Sequence, residues 1–166
     1  GRSQALHIGL CGDRPWLIQA SAGLDAQVLA PLDPKRKRLL GKGEVAALRR
    51  LNREMRKALL AHDFDRYYDA NLAFHDVFLD RCGNEQLVRI VRRLKQRLYD
   101  WPRRRGFVKE WELASLEEHA AFAQLVAKGD ATGAADHLRD VHWSFGVQEP
   151  FIRRYYFTDP PGEDEG

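Results

Sequence analysis

The chain has 166 residues and a mass of 19.1 kDa, enough for one domain with a sizeable core and short for two. It is 44% hydrophobic and 31% charged, which excludes a disordered tail, and charges interrupt every apolar stretch before the roughly 18 residues that a membrane-spanning helix needs. A net charge of +3 does not by itself imply nucleic-acid binding. No charged start leads into an apolar secretion signal, and the two cysteines, Cys11 and Cys82, stand far apart in unlike surroundings. The expectation is a cytoplasmic, soluble domain with neither a disulfide framework nor a cysteine-based zinc site.

Residues 1–43 scatter Gly12, Pro15, Gly23, Pro31, Pro34, Gly41 and Gly43 and sustain no apolar period over two turns, so they are expected to be irregular. From Glu44 the pattern turns helical, with Val45, Leu48, Leu51, Met55, Ala58 and Leu59 recurring at threes and fours. After His62-Asp63 a second helix is predicted from about Phe64 to Arg81, burying Tyr67, Leu72 or Ala73, Phe74, Phe78 and Leu79. Gly83-Asn84 reads as a stop and a new cap. The third helix carries Leu87, Ile90, Val91, Leu94, Leu98 and Trp101, and is expected to end at Pro102.

Residues 103–112 read as a basic connector. Ser115-Leu-Glu-Glu118 reads as a capping box opening a fourth helix, which buries Leu116, His119, Phe122 and Val126 and stops at Gly129. Asp130 caps the last long helix, running to about Val147 with Ala134, His137 or Leu138, Val141 and Phe145 inward. Pro150 breaks it, the aromatic stretch Phe151 to Phe157 docks on the bundle, and the acidic residues 158–166 form a frayed tail. Two basic series, Lys35 to Arg38 and the looser Arg89, Arg92, Arg93, Lys95, Arg97 and Arg103 to Arg105, read as solvated surface. No stretch alternates long enough for a strand, and no phosphate loop, dinucleotide fingerprint or nucleophile elbow is present. The expected fold is all-α, an antiparallel bundle of about six helices over residues 44–157.

The histidines carry the chemical information. Asn71 and His75 lie four apart and share a helical face, and His119 is in phase with Leu116, Phe122 and Val126. Of His137 and His142 on the last helix, at least one must face the bundle. An unsatisfied buried polar group costs about 1–3 kcal/mol, so several inward imidazoles require a hydrogen-bond network, water or a metal. Each taken singly reads as a satisfied core histidine; three on three helices make a metal site as plausible as a core network.

Four short pieces, Asn71-Leu-Ala-Phe-His75, Cys82-Gly-Asn84-Glu-Gln-Leu87, Glu118-His119 and Gly129-Asp130-Ala131, resemble in order and spacing the FadR-type C-terminal effector-binding domain (FCD) of GntR-family bacterial transcription regulators, over about residues 44–148. The resemblance implies a homodimeric helical bundle whose central cavity binds a small organic acid. In many members that cavity holds a divalent metal (zinc, nickel or manganese) on one Asp and three His. The implied ligands here are Asn71, where Asp is usual, His75, His119 and a last His about 22 residues further on. That place holds Val141; His142 stands one residue late and His137 one turn early, so either completes the set, or the site is degenerate and takes only the effector.

Arg97, at the edge of the third helix's apolar face, is a candidate contact for an effector carboxylate, against its plain reading as a snorkelling surface side chain. Residues 1–43 do not supply the family's winged helix-turn-helix, so DNA would be reached only through an N-terminal domain this chain lacks. Asp76, Asp80 and Glu118 neighbour the candidate ligands, but the helical wheel turns each away, leaving no general base. The expectation is therefore a sensory domain and not an enzyme. The alternatives are a helical interaction scaffold with internally satisfied histidines and, behind it, a metal-dependent enzyme.

Overall fold

The computed structural model describes residues 10–11, 14–15, 40–81, 84–105 and 109–156, and its first helix is α1 (Lys42–Leu60). It starts two residues before Glu44 because Glu44 caps it from inside: its carboxylate accepts the Gly41 N–H at 2.9 Å and lies in the first turn, where the helix dipole favours an anion. Leu48, Leu51, Met55, Ala58 and Leu59 form the buried face that the periodicity predicts. The helix ends in a Schellman motif, with Asp63 N–H donating to Ala58 O and His62 N–H to Leu59 O. This turn places His62 at a φ of 54°, a conformation usually left to glycine.

Asp63 then caps α2 (Phe64–Leu79) by accepting from the Arg66 amide at 3.1 Å. The turn aligns α2 antiparallel to α1, so that Tyr67, Phe74, Phe78 and Leu79 enter the core with no exposed surface. Asn84 caps α3 (Glu85–Arg105) through the Leu87 amide at 3.0 Å. Helix α3 runs past Pro102, where it was expected to stop. Proline there removes only the one amide that would reach the Leu98 carbonyl, and the amides after it continue the helix to Arg105.

The connector expected over residues 103–112 is therefore mostly helix. Helix α4 (Lys109–Lys128) opens with Glu110 and Glu112 in its first turn, an arrangement the dipole favours; Ser115 and Glu118 lie inside it rather than at its start. A second Schellman motif around Gly129, at φ 76°, closes it. Asp130 caps α5 (Ala131–His137), accepting from the Gly133 amide at 2.8 Å. The last helix, expected unbroken to Val147, instead widens into a π-turn at Leu138–His142, breaks at Trp143 and Ser144, and resumes as α6 (Phe145–Tyr156). Pro150 sits inside α6 on its exposed side, where water can satisfy the carbonyl it leaves unpaired.

Helix α1 packs along α2 and α4, α3 lies on α2, and α5 with the π-turn closes on α4. The described residues are all-α except for a two-residue antiparallel pair, Leu10–Cys11 with Arg14–Pro15, in the segment expected to be irregular. Most of residues 1–39, Cys82 with Gly83, and the tail 158–166 lie outside the described residues. Among the described residues no helix is long and apolar enough to cross a membrane.

Candidate metal centre

Three helical segments each deliver one histidine to the middle of the bundle. His75 comes from the penultimate turn of α2, His119 from the middle of α4 and His142 from the end of the π-turn. His75 and His119 are fully buried and His142 is 7% exposed. One nitrogen of each ring lies within 4.8 Å of those of the other two. Ring centroids are 4.6 Å apart for His119 and His142, and 5.3 Å for His75 with either partner. Phe74, Phe78 and Trp143 wall the cluster, Phe74 lying 4.3 Å from the His119 ring.

The π-turn makes this convergence possible. Its closing bond runs from Trp143 N–H to Leu138 O at 2.9 Å, five residues back instead of four. The extra residue rotates the following positions, so His142 is buried while Val141, on which an ideal α-helix would put the inward position, is only half-buried. His137 is not part of the cluster. Its Nε2–H donates to the Glu118 backbone carbonyl at 2.9 Å, which fixes its tautomer. Asn71 is buried one turn before His75 on the same face of α2. Arg97 lies on α3, and its side chain is outside the described residues.

The polar bookkeeping of the cluster is incomplete without a guest. Neither ring nitrogen of His75 nor of His119 has a hydrogen-bond partner among the described residues. Burial first, then the neighbouring positive charges of Lys95 and the other histidines, hold the imidazoles of His75 and His119 well below the usual histidine range; burial and then Lys95 and His137 do the same for His142. All three are thus neutral at physiological pH, the form that binds a metal. Two bonds of about 2.1 Å at a tetrahedral angle separate ligand nitrogens by about 3.4 Å, so an ion would draw the trio inward by a modest amount. Imidazoles suit zinc, nickel, copper and iron, and the donor set fits such an ion.

Two residues in the site contradict the sequence reading. Lys95, read as solvated surface, is 1% exposed, with its Nζ 4.4 Å from the centroid of the Trp143 ring. It falls in line with Val88 and Val91, which are buried, whereas Ile90, read as core, is 50% exposed. Glu118, read as turned away, places its Oε2 2.7 Å from His142 Nδ1. The π-turn places His142 against it. Burial raises its pKa to about 7. Asp76 and Asp80 do face away, and both pair with Arg92 at the surface.

The FCD domain family matches residues 38–142 of the chain. No curated protein and no solved structure matches it.

Proposed function

The chain belongs to the FCD family, the C-terminal effector-binding domain of GntR-type transcription regulators, and from that premise we propose that its histidine cluster holds a divalent metal and, beside it, a small organic acid. The single observation that carries this reading is the set of orphaned ring nitrogens on His75 and His119, buried within ligand distance of His142. His75, His119 and His142 would be the ligands, with the Asn71 carbonyl as a neutral fourth. Such an ion supplies a Lewis-acidic point for a carboxylate oxygen and, with no anionic protein ligand, keeps its full double charge.

Lys95 adds the second reason to expect an anion. A buried ammonium close enough to depress three imidazoles opposes a bare dication and favours an anion lying between them. The fork of Arg97 on the same helix is the other candidate for a carboxylate contact. Homodimerisation and control of a DNA-reading partner domain complete the proposal by family membership. The FCD family is regulatory and not catalytic.

Elemental analysis of the purified chain, with thermal melts in the presence and absence of chelator, tests the reading. Near-stoichiometric zinc, nickel or manganese with a chelator-lowered Tm supports it. No metal and no chelator effect overturns the metal part and leaves a metal-free effector pocket or a scaffold. A small-carboxylate screen by thermal shift, repeated on Lys95→Met and on Arg97→Met, then identifies the cation that meets the acid.

A further inference from the structure

Beside His142 lies a chain of partly to fully buried polar groups that joins α4, the π-turn and α6. The Trp111 indole N–H, from the first turn of α4, donates to Gln148 Oε1 at 2.6 Å. Gln148, on α6, is 4% exposed. Its Nε2 points to Glu118 Oε1 at 3.2 Å and to the His142 carbonyl at 3.2 Å. Glu118 Oε2 meets His142 Nδ1 at 2.7 Å.

The donor and acceptor roles along this chain follow from one fixed point. An indole nitrogen only donates, so the Gln148 atom facing Trp111 must be its carbonyl oxygen. The amide NH2 therefore faces Glu118 and the carbonyls that end the π-turn. Gln148 offers these carbonyls a side-chain donor, and the Val141 carbonyl also accepts from the Ser144 amide. A carboxylate that takes the amide N–H on one oxygen is left to accept on the other. With Glu118 ionised, the group it meets, His142 Nδ1, carries the proton, and the lone pair of His142 is left on Nε2.

We propose that Glu118, oriented by Gln148 and Trp111, is the positioning residue that holds His142 in its Nδ1–H tautomer and turns Nε2 toward His75 and His119. The inference rests on reading the three histidines as ligands, but its tautomer component stands apart from any metal. Free imidazole has no such preference imposed on it; without Glu118 the proton is free to move to Nε2, where it blocks ligation. Carboxylate-to-histidine bonds of this kind also raise ligand basicity and usually change metal affinity by about 10- to 100-fold. Helix α6 thereby gains a polar route to the site, in addition to the stacking of Phe151 on Trp111 at 5.6 Å between centroids.

The test uses the full chain, first metal-free and then titrated with zinc. Long-range proton–nitrogen spectra of the imidazoles in nitrogen-15-labelled protein should show His142 protonated on Nδ1 and bare on Nε2. In Glu118→Ala the His142 proton should move to Nε2, while the His137 ring keeps its Nε2–H. Zinc affinity, read by competition with a chelator, should fall about 10- to 100-fold in Glu118→Ala. Glu118→Gln retains an acceptor for Nδ1–H and should recover part of the loss; it also serves if the alanine variant fails to fold. A wild-type His142 protonated on Nε2, or a Glu118→Ala variant that matches wild type in both tautomer and zinc affinity, overturns the proposal. A wild-type chain that binds no zinc overturns the metal reading instead, and the tautomer spectra then decide the role of Glu118 alone.

Discussion

Trp143 donates its amide hydrogen to the carbonyl of Leu138, five residues earlier, at 2.9 Å. In a regular α-helix that amide would reach Arg139, and His142 would stand about 100° away from the inward direction set by Val141. The one-residue shift is what allows three histidines from three segments to share a centre. His142→Ala should therefore abolish stoichiometric zinc binding, whereas Val141→His should bring no gain, since the turn already fills that place with His142. Calorimetric zinc titration of the two variants checks both outcomes; tighter binding by Val141→His would show the π-turn to be dispensable.

His75 and His119 contribute rings whose nitrogens have no hydrogen-bond partner among the described residues. Their removal should eliminate metal while costing the apo protein less than loss of a well-packed aromatic of similar size, because a buried polar penalty of about 1–3 kcal/mol disappears with each ring. In the wild-type chain, zinc at 1,000 times its Kd should add about 4 kcal/mol of stability. Chemical denaturation of apo and zinc-loaded His75→Ala and His119→Ala, against wild type, should show that increment only in wild type.

Asn71→Asp should tighten zinc binding. The substitution supplies the anionic oxygen that the present side chain lacks, one turn before His75 on the same face. In the apo protein a buried carboxylate is unfavourable, so Tm without metal should fall while Tm with zinc rises. A parallel fall in both melts would place residue 71 outside the coordination sphere.

Lys95→Met should stabilise the apo protein, since it replaces a buried ammonium with a similar-sized apolar chain. It should also raise the pKa of the three imidazoles, whose protonation Lys95 now opposes, and weaken carboxylate binding. Histidine titration by NMR and a carboxylate thermal-shift series measure these effects separately. Unchanged carboxylate affinity would assign the anion contact to another residue, Arg97 first.

The nearby hydroxyls of Tyr67 and Tyr68 favour the Glu112 anion, but burial dominates and raises its pKa to about 7. The folded state thus holds this proton more tightly than the unfolded chain, so the stability contributed is full below about pH 4.5 and is lost as pH rises toward about 7. The three histidines act in the opposite sense: their depressed pKa values cost stability as pH falls below about 6.5. Glu112→Gln should remove part of the decline between about pH 4.5 and 7 and leave the histidine limb untouched. Urea denaturation of the apo protein across that range resolves the two.

Much of this arrangement is written in local pattern. The spacing of Leu48, Leu51, Met55 and Leu59 defines the inward face of α1, and Asp63, Asn84 and Asp130 mark three helix starts, because side-chain periodicity and capping depend on neighbours within one or two turns. His75 and His119 are in phase with core residues for the same reason. The errors arise where a local signal has more than one structural use. Ser115-Leu-Glu-Glu118 satisfies a capping pattern yet lies within α4, Pro102 and Pro150 are tolerated where their missing N–H costs little, and Lys95 looks like one more charge in a basic helix.

By itself, then, the sequence determines an all-α chain with two histidines facing inward from two different helices, since each of those facts follows from a 3.6-residue period. Only the tertiary structure decides that His142, not His137, joins them, and that Lys95 and Glu118 lie beside the cluster. A π-turn shifts register by one residue, and whether it forms depends on what the resulting face meets. Here that face meets Glu118 from α4 and Gln148 from α6, contacts between segments that no periodicity along one helix encodes.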